Sequence, residues 1–132
     1  MTDGNTHYAP VTAQLVVEVF ARDIEASKRF YQQLGFELYE DRGDFVTFTW
    51  EDHQFYLDAR PHPQAGTRPP AASQPQANMR IMVPNVDDYW QLAQELEAPI
   101  VAEIADRGYG LRDFTVLDPD GFGLRFGSWL DR

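Results

Sequence analysis

The sequence has no cysteine, only three histidines, and 11 basic residues against 21 acidic ones. Without cysteine there can be no disulfide, no thiolate catalysis and no cysteine-bound zinc or iron–sulfur centre. The formal net charge of −10 repels nucleic acids and anionic membranes and attracts cationic partners. The composition therefore argues against a nucleic-acid-binding protein and against cysteine-based redox chemistry.

Long hydrophobic runs are also missing. No apolar stretch approaches the roughly 18–20 residues that span a bilayer. The first residues, MTDGNTHYAPVT, lack the basic and apolar segments of a signal peptide. We therefore expect a cytoplasmic protein without a membrane partner. The chain has 132 residues, of which 43% are hydrophobic and 14% aromatic, enough for one domain with a substantial core.

What the sequence does contain is one pattern of strands and helix, present twice. The first half reads as a strand (AQLVVEVFA), a helix (DIEASKRFYQQLGF) and three further strands (FELYE, FVTFTW, HQFYLDA). The second half has NMRIMVP, the helix NVDDYWQLAQELE, and then IVAEI, DFTVLD and FGLRFGSW. Asp23 and Asn85 are the expected helix N-caps. Each half is thus predicted to be a βαβββ module.

Two offsets relate the halves. A shift of 62 residues places Asp23 on Asn85, and a shift of 69 places Asp44-Phe45 on Asp113-Phe114. The difference falls in the loop ADRGYGL, which is longer than its counterpart EDRG. Because one module leaves a sheet face uncovered, the two are expected to pair. We expect a single domain over 1–132, with modules at about 12–60 and 78–129 and a Pro-rich linker at 61–77.

The segments DIEASKRFYQQLGFEL and DFTVLDPDGFGLRF resemble the glyoxalase, bleomycin-resistance and extradiol-dioxygenase superfamily, also called the vicinal oxygen chelate proteins. The resemblance extends from about Val11 to Trp129. It implies an α+β fold in which two paired βαβββ modules form a half-open, cupped mixed sheet around a cleft. It also implies a divalent metal in the enzymes of the superfamily, held by histidine and glutamate on the first and last strands of the modules.

The metal-ligand positions that the resemblance implies are filled here by Val16, Tyr56, Asn78 and Arg125. Valine has no donor atom, arginine is a permanent cation, and neutral tyrosine and asparagine are poor ligands. The three histidines do not replace the missing ligands, because no two have metal-binding spacing: His7, His53 and His62. We therefore expect no metal, no cofactor and no catalytic residue.

Strand alternation indicates which residues share the cleft face with these positions. The face combines acids, arginines and aromatic side chains, whereas the neighbouring positions are apolar. The residues predicted to bind a ligand are Glu18, Phe20, Trp50, Tyr56, Asp58, Asn78, Arg80, Tyr109 and Arg125. The alternative is that the charged members neutralise one another in salt bridges. For Arg125 two further roles are open: binding a carboxylate or phosphate, or replacing the charge of the lost metal.

The segment RGYGLRDFTVLDPDG is similar to the bleomycin-resistance branch. That similarity implies a homodimer that sequesters a cationic glycopeptide without chemistry. Our first hypothesis is therefore a metal-free protein, associated with antibiotic resistance, that binds an antibiotic-like or aromatic small molecule. One departure is that Arg80 and Arg125 disfavour a strongly cationic drug.

Two other hypotheses remain. In one of them, the protein is a lyase, isomerase or dioxygenase of the superfamily, with a non-standard metal site or with Glu18, Asp58 and Tyr56 as acid–base groups. Alternatively, it is a structural or regulatory module whose cleft has no ligand.

Overall fold

The structure, a computed structural model, describes residues 15–61 and 77–130. The chain divides into two units, residues 1–68 and residues 69–132, and each is described by itself. His7, His62 and most of the predicted linker 61–77 lie outside the described residues.

The two units have the same order of elements. The first contains β1 (Val17–Phe20), α1 (Ile24–Gln33), β2 (Glu37–Asp41), β3 (Phe45–Trp50) and β4 (His53–Asp58). The second contains β5 (Asn78–Met82), α2 (Val86–Glu95), β6 (Ile100–Asp106), β7 (Leu111–Leu117) and β8 (Gly123–Trp129). The predicted α+β class and the two βαβββ modules are confirmed.

Each unit has one four-stranded mixed sheet. The strand orders are β1-β4-β3-β2 and β5-β8-β7-β6. The first and last strands of each module pair in parallel, and the other pairs are antiparallel. Neither of the two described helices is long and apolar enough to cross a membrane.

The helix boundaries follow from their caps. The side chain of Asp23 accepts a hydrogen bond from the amide of Ala26 at 3.1 Å, and Asn85 accepts one from the amide of Asp87 at 3.2 Å. These contacts satisfy amides that the first helical turn leaves free. After α1 the chain turns at Gly35, whose φ of 107° suits a residue without Cβ. The predicted N-caps are confirmed.

The helix of each unit covers one face of its sheet, here called the helix face. Tyr31 of α1 is fully buried and contacts the rings of Phe48 and Phe55, with centroids 6.0 and 4.6 Å away. In the second unit, Tyr89 of α2 stacks on Phe126 at 5.1 Å. Because side chains alternate along a strand, the remaining positions lie on the opposite face, here called the far face.

The strand register corrects one part of the predicted repeat. Thr47 pairs with Tyr56, and Thr115 pairs with Arg125, so β3 and β7 are related by 68 residues rather than 69. Asp113 is therefore the counterpart of Phe45, not of Asp44. The extra residue lies in the turn between β7 and β8, and the β6–β7 hairpin contains the rest of the insertion. This shift places Asp113 on the far face.

The first core prediction concerns Tyr31. Its replacement by alanine leaves a cavity among aromatic rings, and we expect the free energy of unfolding to fall by about 3–5 kcal/mol. Leu38→Ala, at a position that is 41% exposed, is the control and should change stability by less than about 1 kcal/mol. Urea unfolding followed by circular dichroism measures both. Equal losses would contradict the assigned core.

Candidate functional site

The far face of the second sheet carries a cluster of charged side chains. Arg80 of β5 and Arg125 of β8 are Cα partners across parallel strands. Thr115 of β7 lies directly across from Arg125, and Asp113 lies across from Gly127. The register therefore places Arg80 and Arg125 on one face, as strand alternation predicts, and adds an acid that the sequence analysis did not assign to the site.

Asp113 is the centre of this cluster. Its side chain is fully buried and accepts hydrogen bonds from Tyr109 Oη at 2.7 Å and Arg107 Nε at 2.8 Å. Arg80 Nη2 and Arg125 Nε donate to the same carboxylate at 3.1 and 3.3 Å. Burial alone would raise the pKa of Asp113, but these hydrogen bonds lower it to about 2. The carboxylate is therefore ionised near neutral pH.

Tyr109 links Arg125 to this carboxylate. Arg125 Nη2 donates to Tyr109 Oη at 2.7 Å, and the same hydroxyl donates to Asp113. Burial acts to lower the pKa of Arg125, but its contacts with Asp113 and Tyr109 outweigh burial and raise it. Arg125 is thus a fixed cation whose orientation is set by two partners.

The cluster carries more positive than negative charge. Arg80, Arg107 and Arg125 all form ion pairs with the one carboxylate of Asp113, so these four side chains have a formal charge of +2. Their guanidinium groups are only partly exposed, at 26–34% of the side chain. In a chain with a net charge of −10, this face carries a local excess of positive charge.

Two nearby acids pair with a different arginine. Arg112 alternates to the helix face, where its guanidinium pairs with Asp87 at 3.0 Å and with Asp106 at 3.1 Å. Glu103 contributes its backbone carbonyl, which accepts a hydrogen bond from Arg107 Nη2 at 2.6 Å.

Sequence reasoning found part of this cluster. It named Arg80, Tyr109 and Arg125 as binding residues, and the structure brings these three together. It missed Arg107 and Asp113 as members of the site. The signal that would have found Arg107 is the enlarged loop itself, since Arg107 and Tyr109 lie between β6 and β7, where the second module has its insertion. Asp113 lies in β7, and its place depends on the strand register.

The far face of the first sheet contains a second charged group. Asp58 is 4% exposed and accepts two hydrogen bonds from the guanidinium of Arg60, at 2.8 and 2.9 Å. Arg60 also lies over the ring of Phe45, with its guanidinium carbon 5.1 Å from the centroid. The hydrogen bonds from Arg60 hold the pKa of Asp58 well below its usual range.

Glu18 shares a hydrogen bond with Asp58. This contact raises the pKa of Glu18 above its ordinary value, and burial acts in the same direction. Tyr56, the strand partner of Glu18, donates its hydroxyl to Gln54 at 3.0 Å. In the first unit, Glu18, whose pKa is raised, therefore lies beside Asp58, whose carboxylate stays ionised.

The other predicted site residues are divided between the two sheet faces. Phe20 alternates with Glu18 on the far face and is 51% exposed, and Asn78 shares a face with Arg80. Trp50 differs from them, because it alternates with Phe48 on the helix face and packs against Phe36 with ring centroids 4.8 Å apart. The geometry gives Trp50 a packing contact instead of a place among the far-face residues.

Two βαβββ modules with polar far faces define the class to which this protein belongs. The model of the Glyoxalase/Bleomycin resistance protein/Dioxygenase superfamily matches residues 12–126, so the chain belongs to that superfamily, as its motifs indicate. A comparison with curated proteins found no significant match.

Solved structures show the same fold at low sequence identity. A glyoxalase/bleomycin resistance protein/dioxygenase from Alicyclobacillus acidocaldarius is 20% identical with a TM-score of 0.68, over 89% of this chain and 91% of that one. The bleomycin resistance determinant encoded on transposon Tn5 is 19% identical, with a TM-score of 0.66, over 89% and 98%. Lactoylglutathione lyase from Agrobacterium tumefaciens is 20% identical, with a TM-score of 0.64, over 90% and 95%.

The residues at the metal-ligand positions do not fit a divalent metal. Val16 has no donor, Tyr56 donates its proton to Gln54, and Arg125 is a cation held by Asp113. Within residues 15–61 and 77–130, no group of three or more histidines or acids has an arrangement that would hold a metal ion. The donor chemistry thus differs from the histidine and glutamate ligands that the superfamily resemblance implies.

Asp113 provides the second prediction. Replacing it by asparagine removes the charge that three arginines share, and we expect a loss of about 2–3 kcal/mol in unfolding free energy at pH 7. Because the pKa of Asp113 is depressed, its stabilising effect is complete above about pH 4 and is lost as the pH falls through about 2. The difference between wild type and Asp113→Asn should therefore shrink over that interval.

Chemical denaturation at several pH values tests this dependence. Asp52→Asn, at an exposed turn, is the matched control and should change stability by less than about 0.5 kcal/mol. A loss for Asp113→Asn that stays constant down to pH 2 would contradict the role assigned to its charge.

Proposed function

We propose that this protein binds a small organic molecule without metal chemistry and sequesters it instead of transforming it, in the manner of the bleomycin-resistance type. The observation that carries the proposal is Arg125. It stands where the superfamily resemblance implies a metal ligand, and its guanidinium is held by Asp113 and Tyr109. A site whose centre is a fixed cation is suited to binding by hydrogen bonds and ion pairing.

The composition of the far face supports the proposal. Charged side chains and exposed aromatic residues such as Phe20 share this face, whereas the buried core of the helix face is formed mainly by aromatic and aliphatic residues. Tyr109 is 55% exposed, and the guanidinium carbon of Arg80 lies 6.0 Å from the centroid of its ring. An exposed ring beside fixed cations suits a ligand with an aromatic or antibiotic-like body.

The proposed ligand contacts are the far-face residues of each unit considered separately: Glu18, Phe20, Tyr56 and Asp58 in the first, and Asn78, Arg80, Tyr109 and Arg125 in the second. The proposal includes a homodimer in the cytoplasm, and the name of the transposon-encoded bleomycin resistance determinant suggests antibiotic resistance as the context. Sedimentation measures the assembly directly: a monomer at micromolar concentration would contradict the homodimer.

A second candidate function is acid–base catalysis in the first unit. The observation that favours it is the contact between Glu18 and Asp58, where a carboxyl with a raised pKa adjoins an ionised carboxylate. Such a pair provides a proton donor near a base, which a lyase or isomerase requires. On this candidate, Tyr56 is the third acid–base group.

A ligand screen on metal-depleted protein tests the binding function. The panel contains a bleomycin-type glycopeptide, other antibiotics, and aromatic acids and amines. We expect at least one compound at about 100 times its Kd to raise the Tm by about 10 °C, since binding to the folded state alone stabilises it. The bound compound should be recovered unchanged.

Two results would contradict the proposal. Binding that requires added iron, manganese, nickel or zinc would show a metal-dependent site. Conversion of the compound, abolished by Glu18→Gln but retained in Glu37→Gln at an exposed strand position, would favour the catalytic candidate.

A further inference from the structure

We propose that the far face of the second unit binds the carboxylate of a small aromatic acid, which Arg80 and Arg125 hold beside the ring of Tyr109. This inference rests on the proposed binding function and names the class of ligand.

The charge of the cluster favours an anion. Asp113 is one carboxylate among three arginines, and two nearby acids, Asp87 and Asp106, are paired with Arg112 on the helix face. A bound carboxylate would lower the excess charge from +2 to +1. A cationic ligand would add to the repulsion, which excludes it from this face despite the negative charge of the whole chain.

The arginines still have hydrogen-bond donors to offer. Arg80 uses only Nη2, and Arg125 uses Nε and Nη2, in hydrogen bonds to the described residues. Over 15–61 and 77–130, Nε and Nη1 of Arg80 and Nη1 of Arg125 have no hydrogen-bond acceptor. Both arginines are fixed by Oδ2 of Asp113. Two oriented guanidinium groups with spare donors match the planar geometry of a carboxylate.

Thr115 gives an independent indication of a missing partner. Its side chain is 2% exposed, and its Oγ1 has no hydrogen-bond partner among the residues that the structure describes. It lies directly across from Arg125 on the same face of the sheet. Buried hydroxyls normally have a partner, and a ligand oxygen beside Arg125 would provide one.

The apolar residues around the arginines favour an aromatic acid over a simple anion. Met82, two residues after Arg80, is 40% exposed, and Tyr109 and Trp129 are 55% and 62% exposed. Tyr109 contacts both arginines, and Met82 and Trp129 occupy far-face positions of the same sheet. Large exposed apolar groups next to cations are typical of sites for ligands with an apolar body and one anionic end.

Gly127 determines how close Arg80 can lie to the sheet. A Cβ at this position would be 2.8 Å from Nη1 of Arg80 and 3.3 Å from Cβ of Asp113. Arg80 therefore occupies space that only glycine leaves open. Gly127→Ala would move this guanidinium away from Asp113 without changing any charge. The substitution therefore tests whether ligand binding depends on where the guanidinium of Arg80 lies.

Calorimetric titration of the full chain tests the proposal with four probes: benzoate, acetate, phenyl phosphate and benzyltrimethylammonium. We expect benzoate to bind at least tenfold more tightly than acetate and phenyl phosphate, and the cation not to bind. Arg80→Met, Arg125→Lys and Gly127→Ala should each weaken benzoate at least tenfold. Arg112→Met, whose side chain has similar exposure but lies on the helix face, should stay within twofold of wild type.

A second measurement needs no variant. In wild-type protein, the NMR signals of the arginine Nε–H groups should shift with benzoate for Arg80 and Arg125 and not for Arg112. This readout keeps the proposal testable if a substituted chain fails to fold.

The outcomes separate this inference from the binding function. If a neutral or cationic aromatic compound binds and benzoate does not, the anionic class is wrong and the binding function stands. If phenyl phosphate binds more tightly than benzoate, the proposal that the ligand's anionic group is a carboxylate is wrong. If benzoate binds wild type and the three far-face variants with equal affinity, the proposal that it binds at Arg80 and Arg125 is wrong. If no compound of any charge binds, the binding function fails as well.

Discussion

The buried carboxylate of Asp113 determines the arrangement of the second far face. It accepts hydrogen bonds from four side chains that come from β5, β8 and the β6–β7 hairpin. An acid with no exposed surface is tolerated only because these donors replace the water it has lost. In return, three arginines that would repel one another are held side by side. Their alignment is thus a consequence of stability, and it is also what makes the face suitable for binding.

The two units have the same fold, but their far faces carry different charges. In the first, Asp58 takes both its strong hydrogen bonds from Arg60, two residues further along the chain, and shares another with Glu18. In the second, the equivalent strand position is Gly127, and the acid has moved across to Asp113 on β7. The backbone plan is the same, yet one face has paired acids and the other has an excess of arginines.

Most of the fold was predictable because it depends on local patterns. The caps Asp23 and Asn85, the strand alternation and the repeat all leave marks in sequence. The resemblance pointed to Arg125, and alternation then placed Arg80 on the same face. The role of Asp113 did not follow, because it depends on the register of β7, which a one-residue difference in a turn displaces. For Trp50, the residue type suggests a ligand contact, and the strand position places the ring against Phe36 on the helix face.

The longer β6–β7 hairpin has a consequence for how such a site originates and changes. Arg107 and Tyr109 belong to the inserted segment, whereas Arg80 and Arg125 belong to strands that the fold requires in any case. Ligand preference can therefore diverge by exchange of one surface hairpin while both hydrophobic cores stay intact. For protein engineering, this separates the hairpin, which can be diversified, from the strands, which must be preserved. Replacements for Arg107 and Tyr109 must still donate hydrogen bonds to Asp113.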